Sequence, residues 1–146
     1  MKLLISGNSA LLTIDVISYE RPNATEFYDS NWLRCKVSCQ IGSLRITEDM
    51  SLQTSDFLLL QESISAFKQH RVCEIKFVTL EEQLQFTIQR EQSTHIKIKG
   101  AISAIPPSSG IFTFEFEAEA LSDSTIESLE DITLNFPVRI ENEKPR

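Results

Sequence analysis

Long apolar runs, pairable cysteines, clustered histidines and basic charge are all scarce in this chain, and each scarcity closes off a class of protein. No stretch of about 18 apolar residues is present, the length a helix needs to cross a bilayer. The opening Met1-Lys2-Leu3-Leu4-Ile5-Ser6-Gly7 loses its apolar character at Gly7-Asn8-Ser9. It lacks the continuous apolar region of a signal peptide and reads as a first strand. Three cysteines cannot all pair within one chain. Cys35 and Cys39 fall in one predicted strand with Cα atoms about 13 Å apart, beyond disulfide reach. A cytoplasmic location is the simplest reading of unpaired thiols. Four scattered glycines offer no phosphate-cradling loop, and the G-x-S-x-G, H-E-x-x-H and P-loop patterns are missing. Fourteen Lys and Arg against 21 Asp and Glu leave a net charge of −7. Such a field repels nucleic-acid phosphates and anionic bilayers and attracts basic partners, so neither nucleic acid nor membrane is an expected partner.

What is present describes an ordinary soluble globule. The 146 residues, 41% hydrophobic and 24% charged, suit one domain with its own core. A single α+β domain over residues 1–140 is expected, followed by a polar tail over 141–146. Leu12, Ile14 and Val16 alternate with Thr13, Asp15 and Ile17, the period of a half-buried strand. Residues 20–31 are polar, with a proline and two aromatics, and read as the first long loop. Leu33, Cys35, Val37, Cys39 and Ile41 then share one face. Gly42-Ser43 is a two-residue hairpin turn with glycine where φ must be positive. Pairing Ile41 with Leu44 sets Cys39 opposite Ile46, Cys35 opposite Met50, Leu33 opposite Leu52 and Lys36 opposite Asp49. It also sets Glu48 on the apolar face opposite Val37, which requires a bulge, an edge or a partner.

Thr54-Ser55-Asp56 is an N-cap cluster, and Phe57, Leu60, Ile64 and Phe67 recur at helical spacing, predicting a helix over about 55–69. Strands follow around Cys73-Ile75-Phe77, Leu84-Phe86-Ile88, Ile96-Ile98-Ile102 and Phe112-Phe114-Phe116. Pairing Ile102 with Phe112 sets Lys99 opposite Glu115, Lys97 opposite Glu117, His95 opposite Glu119 and Gly100 against Phe114. Ser122-Asp123 caps a second helix over about 123–135, which ends near Phe136 because Pro137 disfavours helix before it. The whole reads as mainly antiparallel sheet of about eight strands with two helices, each helix following a meander.

Chemistry is hard to find. The only two histidines, His70 and His95, have no metal-ligand spacing to cysteine or carboxylate. His95 reads as a cross-strand partner for Glu119, and His70 as the cation closing a helix. Cys35 and Cys39 read as buried apolar thiols. Glu115, Glu117 and Glu119 read as a solvated ladder facing lysines, which stabilises their charged forms. No enzyme, metal or cofactor is expected. The least ordinary stretch is Phe27-Tyr28-Asp29-Ser30-Asn31-Trp32-Leu33, which holds the only tryptophan. Trp32 lies on the strand face away from Leu33, either plugging that face with its indole N–H paired or serving as a recognition anchor.

At this segment the chain resembles the WapI-type immunity proteins, bacterial partners encoded beside polymorphic contact-dependent toxins. The resemblance rests on Tyr28-Asp29-Ser30-Asn31-Trp32-Leu33 leading into Arg34-Cys35-Lys36-Val37. The opening Leu3-Leu4-Ile5-Ser6-Gly7 and the ending Leu134-Asn135-Phe136-Pro137-Val138-Arg139 also match it. It implies a non-catalytic inhibitor that binds and neutralises a cognate toxin domain. A basic, nuclease-like toxin would suit the charge of this chain. Partner contact is then expected at Glu26, Phe27, Tyr28, Asp29, Asn31 and Trp32. Glu81 with Glu82, or Glu127 with Glu130 and Asp131, are alternative acidic docking clusters. Two other roles stay open: a small-ligand domain with a cavity beside Trp32, and an oligomeric scaffold such as a homodimer.

Overall fold

Apolar alternation becomes two meanders, each closed by a helix. The computed structural model describes residues 1–92 and 94–140; the expected polar tail, 141–146, lies outside them. The first sheet runs in chain order: β1 (Lys2–Gly7), β2 (Ala10–Tyr19), β3 (Trp32–Ile41) and β4 (Leu44–Gln53). A short helix, α1 (Phe27–Ser30), interrupts the β2–β3 connection, and α2 (Thr54–Lys68) follows β4. The second sheet is again sequential: β5 (Glu74–Val78), β6 (Leu84–Glu91), β7 (His95–Ser103) and β8 (Ile111–Ala118). Helix α3 (Asp123–Asn135) comes last. Among the described residues this is an α+β arrangement of two four-stranded antiparallel sheets, as the periodicity predicts.

The registers agree with the sequence. Ile41 faces Leu44, Cys39 faces Ile46, Cys35 faces Met50, Leu33 faces Leu52 and Lys36 faces Asp49. Gly42 takes φ +58° in the hairpin turn. No bulge relieves Glu48; it faces Val37 on β4, an edge strand, and is half-buried there. In the second sheet Ile102 faces Phe112, Lys99 faces Glu115, Lys97 faces Glu117 and Gly100 faces Phe114. The charge ladder is corrected in one respect. β8 ends at Ala118, so Glu119 pairs with nothing across the ladder, and His95 Nε2 instead lies 3.6 Å from Glu117. Lys97 reaches Glu115 at 3.2 Å rather than Glu117. Each cation leans to the diagonal partner two residues away, within reach of long side chains on a twisted sheet.

One bulge changes what the first meander presents. Between Val16 and Ser18 the β2–β3 register shifts, leaving Ile17 unpaired and half-exposed. The shift reverses the phase of β2, so that Tyr19 comes opposite buried Leu33. Its ring meets Phe136 edge-on at 5.5 Å and its hydroxyl donates to the Pro137 carbonyl at 2.6 Å.

Helix α2 starts slightly earlier than its polar cluster suggests. Gln53 is the N-cap and Asp56 accepts its backbone N–H at 3.0 Å, completing a capping box. Burial pushes the Asp56 carboxyl pKa up, opposed by hydrogen bonds from the Gln53 and Leu80 backbones. Phe57, Leu60, Ile64 and Phe67 are all buried. At the other end, His70 N–H bonds the Phe67 carbonyl and Arg71 N–H the Ala66 carbonyl, a Schellman closure with His70 at φ +57°. That left-handed position costs an L side chain about 1 kcal/mol. His70→Gly should therefore stabilise the fold by about 0.5–1 kcal/mol, read as a rise in the urea midpoint at constant slope.

Helix α3 is capped by Ser122, whose side chain accepts the Thr125 N–H at 3.2 Å. Thr125 Oγ1 donates to the Leu4 carbonyl on β1 at 2.6 Å, and Lys68 reaches Asp123 at 2.8 Å, so α3 is tied to both α2 and the first sheet. The sheets meet where Asn8 N–H donates to the Glu117 carbonyl at 2.8 Å. One buried apolar cluster, from Leu3 to Ile132, takes side chains from both sheets and from α2 and α3.

Candidate functional site

Strand phase decides what each residue of the 26–32 segment does. On β3, Leu33, Cys35 and Val37 point into the core, and Asn31 shares their parity one step before the strand. It is completely buried. Its Nδ2 donates to the carbonyls of Phe27 at 2.6 Å and Arg139 at 3.0 Å. Its Oδ1 accepts from Thr54 Oγ1 at 2.8 Å and from the Arg139 backbone N–H at 2.7 Å. Its own carbonyl accepts the Thr54 N–H at 3.0 Å. Asn31 thus joins α1, the start of α2 and the segment after α3. It offers no surface to a partner, and its contribution is to hold its neighbours in place.

Those neighbours face outward. Tyr28 is 65% exposed and Phe27 36%, their rings packed edge to face at 5.5 Å. Gln53 Nε2 supports Tyr28 from below through its carbonyl at 3.2 Å. Glu26 is exposed, and Asp29 pairs with Arg21 at 3.2 Å, which offsets part of the local acidity. Trp32 is half-buried on the outer face with Arg34 and Lys36, opposite Gln53. Its indole N–H meets no acceptor among the described residues.

The segment after α3 completes the surround. Arg139 lies over the Tyr19 ring at 3.6 Å and donates to the Pro22 carbonyl at 2.9 Å. Along α3, Glu127, Glu130, Asp131 and Leu134 recur on one outward stripe, all exposed, with Leu134 at 76%. No basic residue occupies the last turn of that helix. Sequence reasoning singled out the three acids but missed Leu134, which the same helical spacing would have added. It also missed Thr54 and Arg139 as partners of Asn31, and Tyr19 as the ring under Arg139, because these contacts span long sequence separations.

The chemistry-bearing residues stay apart. Burial pushes the Cys35 thiol up to about 12 and Cys39 up to about 11, so neither is a thiolate at neutral pH. Cys73 is exposed and free. Among the described residues no three His, Cys, Asp or Glu side chains form a metal-binding group, and no helix is long and apolar enough to cross a membrane. Cavities of about 640, 420 and 270 Å³ lie on the second sheet, between α2 and α3, and beside the end of α2. None of these three is lined by Trp32.

Comparison with known proteins gives one family. The model of the immunity protein WapI-like family matches residues 3–137, nearly the whole chain. No curated protein and no solved structure shows a significant match.

Proposed function

We propose that this chain, which belongs to the immunity protein WapI-like family, neutralises a cognate toxin domain by binding it, without catalysis, through the aromatic platform of residues 26–32. The observation that carries the reading is the contrast within that segment. A buried Asn31 with its side-chain amide paired anchors the backbone from which Phe27 and Tyr28 project outward. Exposed aromatics carried on an anchored backbone lose less freedom on binding, which is the character of interface anchors. Asn31 acts as the positioning residue, with Phe27, Tyr28 and the outer face of Trp32 as contacts. Glu26 and the acidic stripe of α3 add charge at the rim. A net charge of −7 suits a basic partner such as a nuclease, whose approach it would steer. The free thiols are consistent with action in the cytoplasm.

The test mixes the protein with the toxin domain encoded beside it and follows affinity as salt is raised, together with survival of cells expressing both. The expected result is tight association whose rate falls steeply with ionic strength, and cells protected from the toxin. Failure to bind, or binding that leaves cells unprotected, rejects the reading.

A further inference from the structure

The outer face of the second sheet carries a feature that the contact proposed for residues 26–32 does not involve. On the core side of β7, Gly100 has no room for a side chain. An added Cβ would lie 2.6 Å from Phe86 Cβ and 2.8 Å from Phe114 Cζ, and closer still to the Gln85 carbonyl. The opposite face of the sheet is dished at this point. The hollow measures about 640 Å³, within the range of small-molecule sites. Small side chains, Ala101, Thr113 and Thr87, line it together with the exposed apolar Val78.

Its polar groups are unusual for this chain. Lys76 and Lys99 flank Thr87 directly across the ladder, one on each neighbouring strand. Their Cα atoms are therefore about 10 Å apart, close enough for both ammonium groups to converge on one anion. Neither has an ion-pair partner among the described residues, although acids outnumber bases 21 to 14. Glu115 lines the same hollow but is drawn away by Lys97. Between the two lysines, the Thr87 hydroxyl is shielded from water and has no hydrogen-bond partner among the described residues. A shielded hydroxyl without a partner is costly unless something supplies one. A rotation about its Cα–Cβ bond would turn that hydroxyl into the hollow.

We propose that the dished face of β5–β8 is a binding site for a small organic monocarboxylate with an apolar body. The carboxylate sits between Lys76 and Lys99 and accepts the Thr87 hydroxyl. The apolar body lies along Val78 and Ala101. The site is separate from residues 26–32, so the two readings stand or fall independently.

The experiment titrates the intact protein with 4-phenylbutyrate, decanoate and indole-3-acetate, each beside its neutral alcohol, following backbone and methyl NMR shifts. At least one acid should give saturable shifts confined to residues near Thr87, Lys99 and Ala101, binding about tenfold or more tighter than its alcohol. Lys76→Gln combined with Lys99→Gln should remove that preference. Thr87→Val should weaken the acid several-fold while leaving the free protein as stable or more so, because the hydroxyl it removes is unpaired. No saturable shift with any of the three acids overturns the proposal, as does equal affinity for acid and alcohol, or shifts centred elsewhere.

Discussion

Asn31→Ala should lower folding stability by about 3–5 kcal/mol, a large part of the ~5–15 kcal/mol that holds a domain of this size. Five side-chain hydrogen bonds disappear at once, to Phe27, Ser30, Thr54 and twice to Arg139. Thr54 Oγ1 is left in a buried position and the Phe27 and Arg139 backbone groups in part-buried ones, so a share of their desolvation cost is no longer offset. The loss should appear as a fall of about 10–15 °C in midpoint temperature. Asn31→Asp is the sharper probe, because it retains two acceptors and removes both donors. When ionised, the introduced carboxyl would face the Phe27 and Arg139 carbonyls, so its folded pKa should rise above the ordinary value near 3.9. The folded state then binds more protons than the unfolded one. Stability of this variant should therefore fall as pH rises through that window, a slope the parent lacks at this position. Equal stability of parent and Asn31→Asp at every pH would mean that the Asn31 amide donors hold nothing.

Gly100→Ala is expected to be of similar severity, about 3 kcal/mol or more. The added methyl meets the backbone carbonyl of Gln85, which cannot retreat without breaking the β6–β7 ladder. Gly42→Ala provides the comparison. Nothing lies within 4 Å of its added carbon, and only the left-handed φ of +58° is strained, so a cost of about 1 kcal/mol is expected. Denaturation of the two variants side by side separates a steric wall from a conformational preference. Equal costs would mean that β7 is not pressed against its neighbours at Gly100.

Much of the sheet architecture was legible because strand period is two and each hairpin register is pinned by its apolar partners. A slip by one residue at Ile41–Leu44 or Ile102–Phe112 would have turned a whole face outward. What the pattern missed is three-dimensional. The bulge at Ile17 follows an uninterrupted alternation, so nothing local announces the change of phase that aims Tyr19 inward. The ladder charges pair diagonally because twist displaces side chains that Cα register aligns. Helix α1 is too short for any periodicity to reveal. Asn31 is expected at the contact because it lies in the Tyr28–Leu33 run that carries the family resemblance. Carrying the parity of Leu33 and Cys35 one step back places it on the buried face, and that signal was available. Its partner Arg139 is 108 residues away, beyond any local pattern.

The proposed contact with the toxin is made by exposed Phe27 and Tyr28 together with half-buried Trp32. The most direct measurement is the affinity of Tyr28→Ala and of Trp32→Ala for the neighbouring toxin domain, with the unfolding free energy of each variant determined in parallel. A loss of about 2 kcal/mol in binding, or roughly 30-fold in Kd, is predicted for at least one of them at folded-state stability sufficient to keep the protein native. Parental affinity in both variants would contradict it and move the docking surface elsewhere on the molecule.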